Sequence, residues 1–131
     1  MTVTSFVVSP GRKRTTNSGA GWNGKLTWPF GGGCGPGYRS GNNTVTSALS
    51  HTPLSLGFAV AFGTRNTLGT GCNDIVSAET LAMIKERFIE QYGVPRFTIG
   101  SGGSGGAMQQ RLIVQNYPGL LDAITPGISY A

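Results

Sequence analysis

The sequence predicts an α/β domain built on a mostly parallel sheet. Gly57-Phe58-Ala59-Val60-Ala61-Phe62 is an unbroken apolar run of strand length, the pattern of a strand buried on both faces. From that run onward, strand and helix patterns alternate, which is the series that winds a parallel sheet with helices on its faces. A glycine cluster between Gly100 and Gly106 joins the middle strand of the series to the helix after it.

Each element follows from local chemistry. Thr4-Ser5-Phe6-Val7-Val8 reads as a strand, closed by Pro10, and a polar loop runs on to Gly21. Lys25-Leu26-Thr27-Trp28-Pro29-Phe30 reads as a second strand with Pro29 near its end, since proline cannot donate to a sheet ladder. Gly31-Gly32-Gly33-Cys34-Gly35-Pro36-Gly37-Tyr38 excludes regular structure, and residues 39–53 are polar and poorly patterned. The buried strand at 57–62 is followed by a loop. A helix is expected over residues 77–92, because Ala78, Leu81, Ile84, Phe88, Ile89 and Tyr92 recur at helical spacing. Ser77 would cap it, and Gly93 with Pro95 would stop it. Phe97-Thr98-Ile99 reads as a strand and residues 105–116 as a helix with Met108, Leu112 and Gln115 along one side. Tyr117-Pro118-Gly119 ends that helix, and residues 121–125 form a last short strand.

The bulk numbers bound the function. A chain of 131 residues with 38% apolar residues suits one small domain, and no apolar run approaches the roughly 20 residues of a membrane span. The N-terminus lacks the basic-then-apolar order of a signal peptide. The net charge is +5, but Arg12-Lys13-Arg14 sits among turn formers and the other cations are scattered. A solvated loop is therefore expected there and no nucleic-acid face. Cys34 and Cys72 allow one disulfide. Two cysteines and one histidine, His51, do not supply the four ligands of a structural zinc site, so no metal and no cofactor are expected.

Gly102-Gly103-Ser104-Gly105-Gly106 satisfies G-x-S-x-G, with a strand before it and a helix after it. In serine hydrolases that pattern is a sharp strand-to-helix turn that lifts a serine hydroxyl into a cleft. Ser104 has glycine two residues before and two after, whereas Ser101 has Ile99 at the first of these positions, so Ser104 is the candidate nucleophile. Acyl transfer builds negative charge on a carbonyl oxygen, which two aimed N–H groups can hold. The Gly105 amide follows the serine, and Gly32, Gly33 and Cys34 form a glycine loop of the kind that supplies the second donor. A dinucleotide-binding reading competes, with Gly100, Gly102 and Gly105 as G-x-G-x-x-G and Asp122 about 20 residues on as the ribose acid. Against it, such a fingerprint follows the first strand of its domain, and several strands precede this one. His51 precedes Ser104, against the serine–acid–histidine order of hydrolases of this type, and is read as a surface residue.

Several blocks together resemble a known group. Trp22-Asn23-Gly24-Lys25-Leu26 leading into Gly31-Gly32-Gly33, and Gly57-Phe58-Ala59-Val60-Ala61, resemble segments of tannase and feruloyl esterase-type hydrolases. Cys72-Asn73-Asp74, Ala78-Glu79-Thr80, Lys85-Glu86-Arg87-Phe88-Ile89-Glu90 and Asn116-Tyr117-Pro118-Gly119-Leu120-Leu121-Asp122 resemble a bacterial family of unassigned function beside them. The resemblance implies an α/β-hydrolase-type mostly parallel sheet with flanking helices, incomplete at the C-terminus. It also implies hydrolysis of a small-molecule ester in a secreted or periplasmic setting, with Ser104 on the nucleophile. Gly103 stands where those families often carry a cysteine. Their acid and histidine lie further downstream, so residues 1–131 are expected to be the N-terminal part of a catalytic domain, inactive alone.

Overall fold

The structure is a computed structural model that describes residues 21–33, 49–63 and 73–129, together with the backbone of residues 4–8. The elements in order are β1 (Thr4–Val8), β2 (Lys25–Pro29), α1 (His51–Ser55), β3 (Ala59–Gly63), α2 (Asp74–Tyr92), β4 (Phe97–Gly103), α3 (Gly105–Asn116) and β5 (Ala123–Gly127). The sheet order is β1-β3-β2-β4-β5. β3, β2, β4 and β5 run parallel, and β1 closes one edge antiparallel to β3.

Alternation of side chains sorts the sheet into two faces. On one face Leu26 and Trp28 of β2, Phe30 just beyond it, and Ala59 and Ala61 of β3 are buried. They meet Ala78, Leu81, Ile84 and Phe88 of α2 and Ile113 of α3 in one apolar core. Each of the larger side chains contributes about 1.5–3 kcal/mol by leaving water. Trp22 closes the core's edge, its ring edge-on to Phe88 at 5.3 Å and its indole N–H donating to the Lys25 carbonyl. Thr27, Pro29, Val60, Ile99 and Ser101 point to the opposite face, where α1 lies.

Several boundaries depart from the sequence reading. α2 begins at Asp74, not at Ser77, because the Asn73 side chain accepts from the Val76 N–H at 3.1 Å and caps the first turn. Ser77 is instead fully buried inside the helix. Its end is as expected, with Gly93 at φ 91° donating to the Ile89 carbonyl. α1 forms in a segment read as unpatterned. β4 runs four residues past Ile99 through the glycines to Gly103, and β5 starts two residues later than expected, at Ala123. α3 keeps its limits but turns a different side inward: Gly106, Ala107, Gln109, Gln110 and Ile113 are buried, while Met108 is exposed.

The N-terminal edge of the sheet is fastened by polar side chains. Asn23 donates to the Leu56 carbonyl and accepts from the Lys25 N–H, and its own N–H donates to the Gly57 carbonyl. Asp122 accepts from the Thr98 N–H through its carboxylate, and its N–H donates back to the Thr98 carbonyl at 2.8 Å. The Lys85 ammonium donates to the Gly119 and Leu120 carbonyls, both at 2.9 Å, tying α2 to the chain that enters β5.

Candidate functional site

At the opposite, C-terminal edge, a single residue separates β4 from α3. That residue is Ser104, with φ 56° and ψ −121°. A non-glycine residue in this region stores about 1–3 kcal/mol of backbone strain and persists only where its surroundings hold it. Here the Ser104 N–H donates to the Gly127 carbonyl at 3.1 Å. The Ser104 carbonyl accepts from Ala107 and Met108, at 2.9 and 3.2 Å, which starts the helix.

The flanking glycines are required by a second stretch of backbone lying against the turn. A Cβ on Gly102, which sits at φ 146°, would run into the Phe30 carbonyl oxygen. One on Gly106 would stand 2.7 Å from that same oxygen. One on Gly105 would overlap the Gly33 carbonyl and stand 3.0 Å from the Gly33 amide nitrogen. One on Gly32 would lie 3.5 Å from the Gly103 oxygen and 3.8 Å from the Ser104 Cβ. The glycine segment after β2 and the glycine turn after β4 are thus in backbone contact, with Ser104, Gly105, Gly32 and Gly33 together. The contact follows from the register: Pro29 pairs with Ser101, so both strands end at the same level. The Phe30 N–H extends the pairing by donating to the Ser101 carbonyl at 2.7 Å.

Two side chains absent from the sequence expectations build the floor. Gln109 and Gln110 are both fully buried. Gln109 Nε2 donates to the Gly31 and Gly105 carbonyls at 3.1 and 3.4 Å, and its Oε1 accepts from Ser77 Oγ at 2.6 Å. Gln110 Nε2 donates to the Gly102 and Gly106 carbonyls at 2.9 and 3.0 Å, and its Oε1 accepts from the Thr125 N–H at 3.0 Å. The available signal was spacing: Gly106, Gln109, Gln110 and Ile113 fall at i, i+3, i+4 and i+7, an inward stripe hidden by the polarity of the glutamines.

The other candidates lie elsewhere. Ser101 is inside β4 and turns to the opposite face, beside a cavity of about 270 Å³ under α1. His51 opens α1 and is exposed, with no hydrogen bond or ion pair to a described residue. Asp122 stands at the N-terminal edge, whereas the glycine turn stands at the C-terminal edge, and Gly100 is buried against Gln110, Leu121 and Phe30. A ribose acid and a pyrophosphate loop would have to serve one ligand, so the dinucleotide arrangement is not formed. Cys34, Cys72, and with them the disulfide question, lie outside the described residues, as does Arg12-Lys13-Arg14. Among the described residues no His, Cys, Asp or Glu side chains gather in a set that could hold a metal ion, and no helix is long and apolar enough to cross a membrane.

Comparison with known proteins bears on this geometry. A model of a tannase-like family of unknown function (DUF6351) matches residues 2–131. No curated protein matches. Among solved structures, one from the study titled "Structural and Mechanistic Analysis of Two Prolyl Endopeptidases: Role of Inter-Domain Dynamics in Catalysis and Specificity" superposes with a TM-score of 0.53 at 18% identity. The match covers 94% of this chain and 20% of that one. At that identity the likeness shows the fold, an α/β-hydrolase sheet with flanking helices, and the chain spans about a fifth of that structure's length.

Proposed function

The chain belongs to the tannase-like family, and from that premise we propose that it carries the nucleophile end of a serine-dependent ester hydrolase, with Ser104 as the nucleophile. The observation that supports this most is the pairing of a strained serine with a second glycine segment packed against it. A scaffold serine has no use for positive φ. A nucleophile does, because the turn lifts Oγ clear of the strand and leaves the next amide facing the same space.

In the proposed reaction Ser104 Oγ attacks the ester carbonyl carbon and its proton passes to a general base. The tetrahedral oxyanion is held by the Gly105 N–H and by an amide of the Gly32–Gly33–Cys34 loop. Loss of one such donor in comparable enzymes costs about 2.7–4 kcal/mol of barrier. The protonated base then gives its proton to the leaving alcohol, and water hydrolyses the acyl-enzyme to release the acid and free Ser104. His51 is exposed on α1, with no hydrogen bond or ion pair to a described residue to orient it, so in this reading the histidine and the acid of the triad come from elsewhere in the full reading frame. By the same reading the 131-residue chain turns over model esters close to background. The substrate is a small ester, and the setting is secreted or periplasmic.

The test is turnover of p-nitrophenyl acetate by the full reading frame that contains these residues. Ser104→Ala should abolish it and Ser101→Ala should leave it within about twofold, since removing a nucleophile costs several powers of ten. Loss with Ser101→Ala and survival with Ser104→Ala would reverse the assignment.

A further inference from the structure

The Gln109 side chain is bonded to both glycine segments. Its orientation is dictated by its partners. The Gly31 and Gly105 carbonyls can only accept, so the amide nitrogen must face them, and the Ser77 hydroxyl then donates to the remaining oxygen. Both amide hydrogens and the oxygen are used, and the side chain is fully buried. This is an expensive placement for a polar group unless every bond is kept.

The bond to Gly31 has a directional consequence. In a trans peptide the N–H of the next residue points opposite to the carbonyl. With the Gly31 carbonyl held inward by Gln109, the Gly32 N–H is turned outward, and Gly32 is the exposed residue that stands beside Ser104. Ser77 on α2 fixes the far end of the same amide. We infer that Gln109 is a positioning residue: it sets the plane of the Gly31–Gly32 peptide, and so the aim of the second oxyanion donor at Ser104. The inference rests on the reading of Ser104 as nucleophile.

The experiment uses p-nitrophenyl acetate and the full reading frame, with Ser104→Ala, Gln109→Glu and Ser77→Ala beside the wild type. Gln109→Glu keeps the shape and still accepts from Ser77, but its ionised carboxylate has no hydrogen for Gly31. At pH 8, kcat should fall about 10- to 100-fold with KM within about twofold, a part of what losing a whole oxyanion donor costs. Relative to the wild type at the same pH, kcat should recover as the pH is lowered, because the protonated acid donates again. Ser77→Ala should give a smaller fall in kcat, also at unchanged KM, and serves if Gln109→Glu does not fold. The inference is overturned if Ser104→Ala is dead while Gln109→Glu, or Ser77→Ala in its place, retains the wild-type kcat. It is equally overturned if the Gln109→Glu loss is independent of pH, which is the mark of a structural defect alone. Survival of Ser104→Ala would instead strike the nucleophile assignment.

Discussion

Adding one methyl group at Gly106 sets two effects of known sign against each other. Gly106 is the second residue of α3, and its φ is negative. By helix propensity alone, Gly106→Ala should stabilise the protein by about 0.8–1 kcal/mol. The structure says otherwise, because the new Cβ would stand 2.7 Å from the Phe30 oxygen and 3.2 Å from the Phe30 carbonyl carbon and Cβ. Phe30 cannot yield easily: its N–H is bonded to the Ser101 carbonyl, and its ring is buried. Overpacking costs about 1–3 kcal/mol, and a contact of 2.7 Å with backbone belongs in the upper part of that range, about 2–3 kcal/mol, so the net expectation is a loss of about 1–2 kcal/mol. For a chain of this size each kcal/mol corresponds to roughly 4 °C of melting temperature. A urea titration followed by circular dichroism measures the change directly. A Gly106→Ala protein as stable as the wild type, or more so, would refute the claim that the two glycine segments are in hard contact. Gly119→Ala is the comparison: no atom of the described residues lies within 4 Å of its added Cβ, but φ is +90°. It should lose about 1 kcal/mol from the backbone alone and leave ester turnover unchanged, whereas Gly106→Ala should lower both.

Three further perturbations test the scaffold. Thr98 Oγ1 is buried with no hydrogen-bond partner among the described residues, so Thr98→Val should raise stability by about 1 kcal/mol in urea; a loss would show that the hydroxyl is satisfied. Asn73→Ala removes the cap on the Val76 N–H and should cost about 1 kcal/mol, read as a lower urea midpoint; a neutral result would move the cap elsewhere. Burial lowers the pKa of Lys85 below its ordinary 10.5, with the Asp122 carboxylate pulling it partly back. The folded state then binds the proton less tightly than the unfolded chain, so Lys85 makes stability rise with pH between its lowered value and 10.5. Melting curves across that range should climb more for the wild type than for Lys85→Met, and parallel curves would contradict the assignment.

The parts of this fold legible in the sequence are those with local causes. The apolar run of β3, the spacing in α2 and the glycine stop that ends α2 at Gly93 need only neighbouring residues to be read. What escaped depends on distant partners. β2 inserts between β3 and β4, although α2 joins those two in sequence, because parallel pairing is set by packing and not by adjacency. Ser77 and Asn73 are equally good caps by composition, and the choice falls to Asn73 because Ser77 is taken by Gln109 from another helix. Gln109 and Gln110 carry no local sign of burial, which follows from the carbonyls they satisfy. Within the site, the glycine pattern singled out Ser104 over Ser101 and proposed a partner loop at Gly32 and Gly33. The contact between the two segments needed the register of β2 with β4, and the anchoring of the Gly31 carbonyl needed the interior of α3.

The clamps made by Asn23, Lys85 and Asp122 have a practical consequence. They stand at the far edge of the sheet from Ser104, and the stretch of β4 from Thr98 to Gly102 alone spans about 13 Å. Sites that far apart with no shared partner contribute independently to stability. The molecule can therefore be handled as two modules, one fastening the sheet and one presenting the serine. Stabilising changes can be collected in the first without retuning the second.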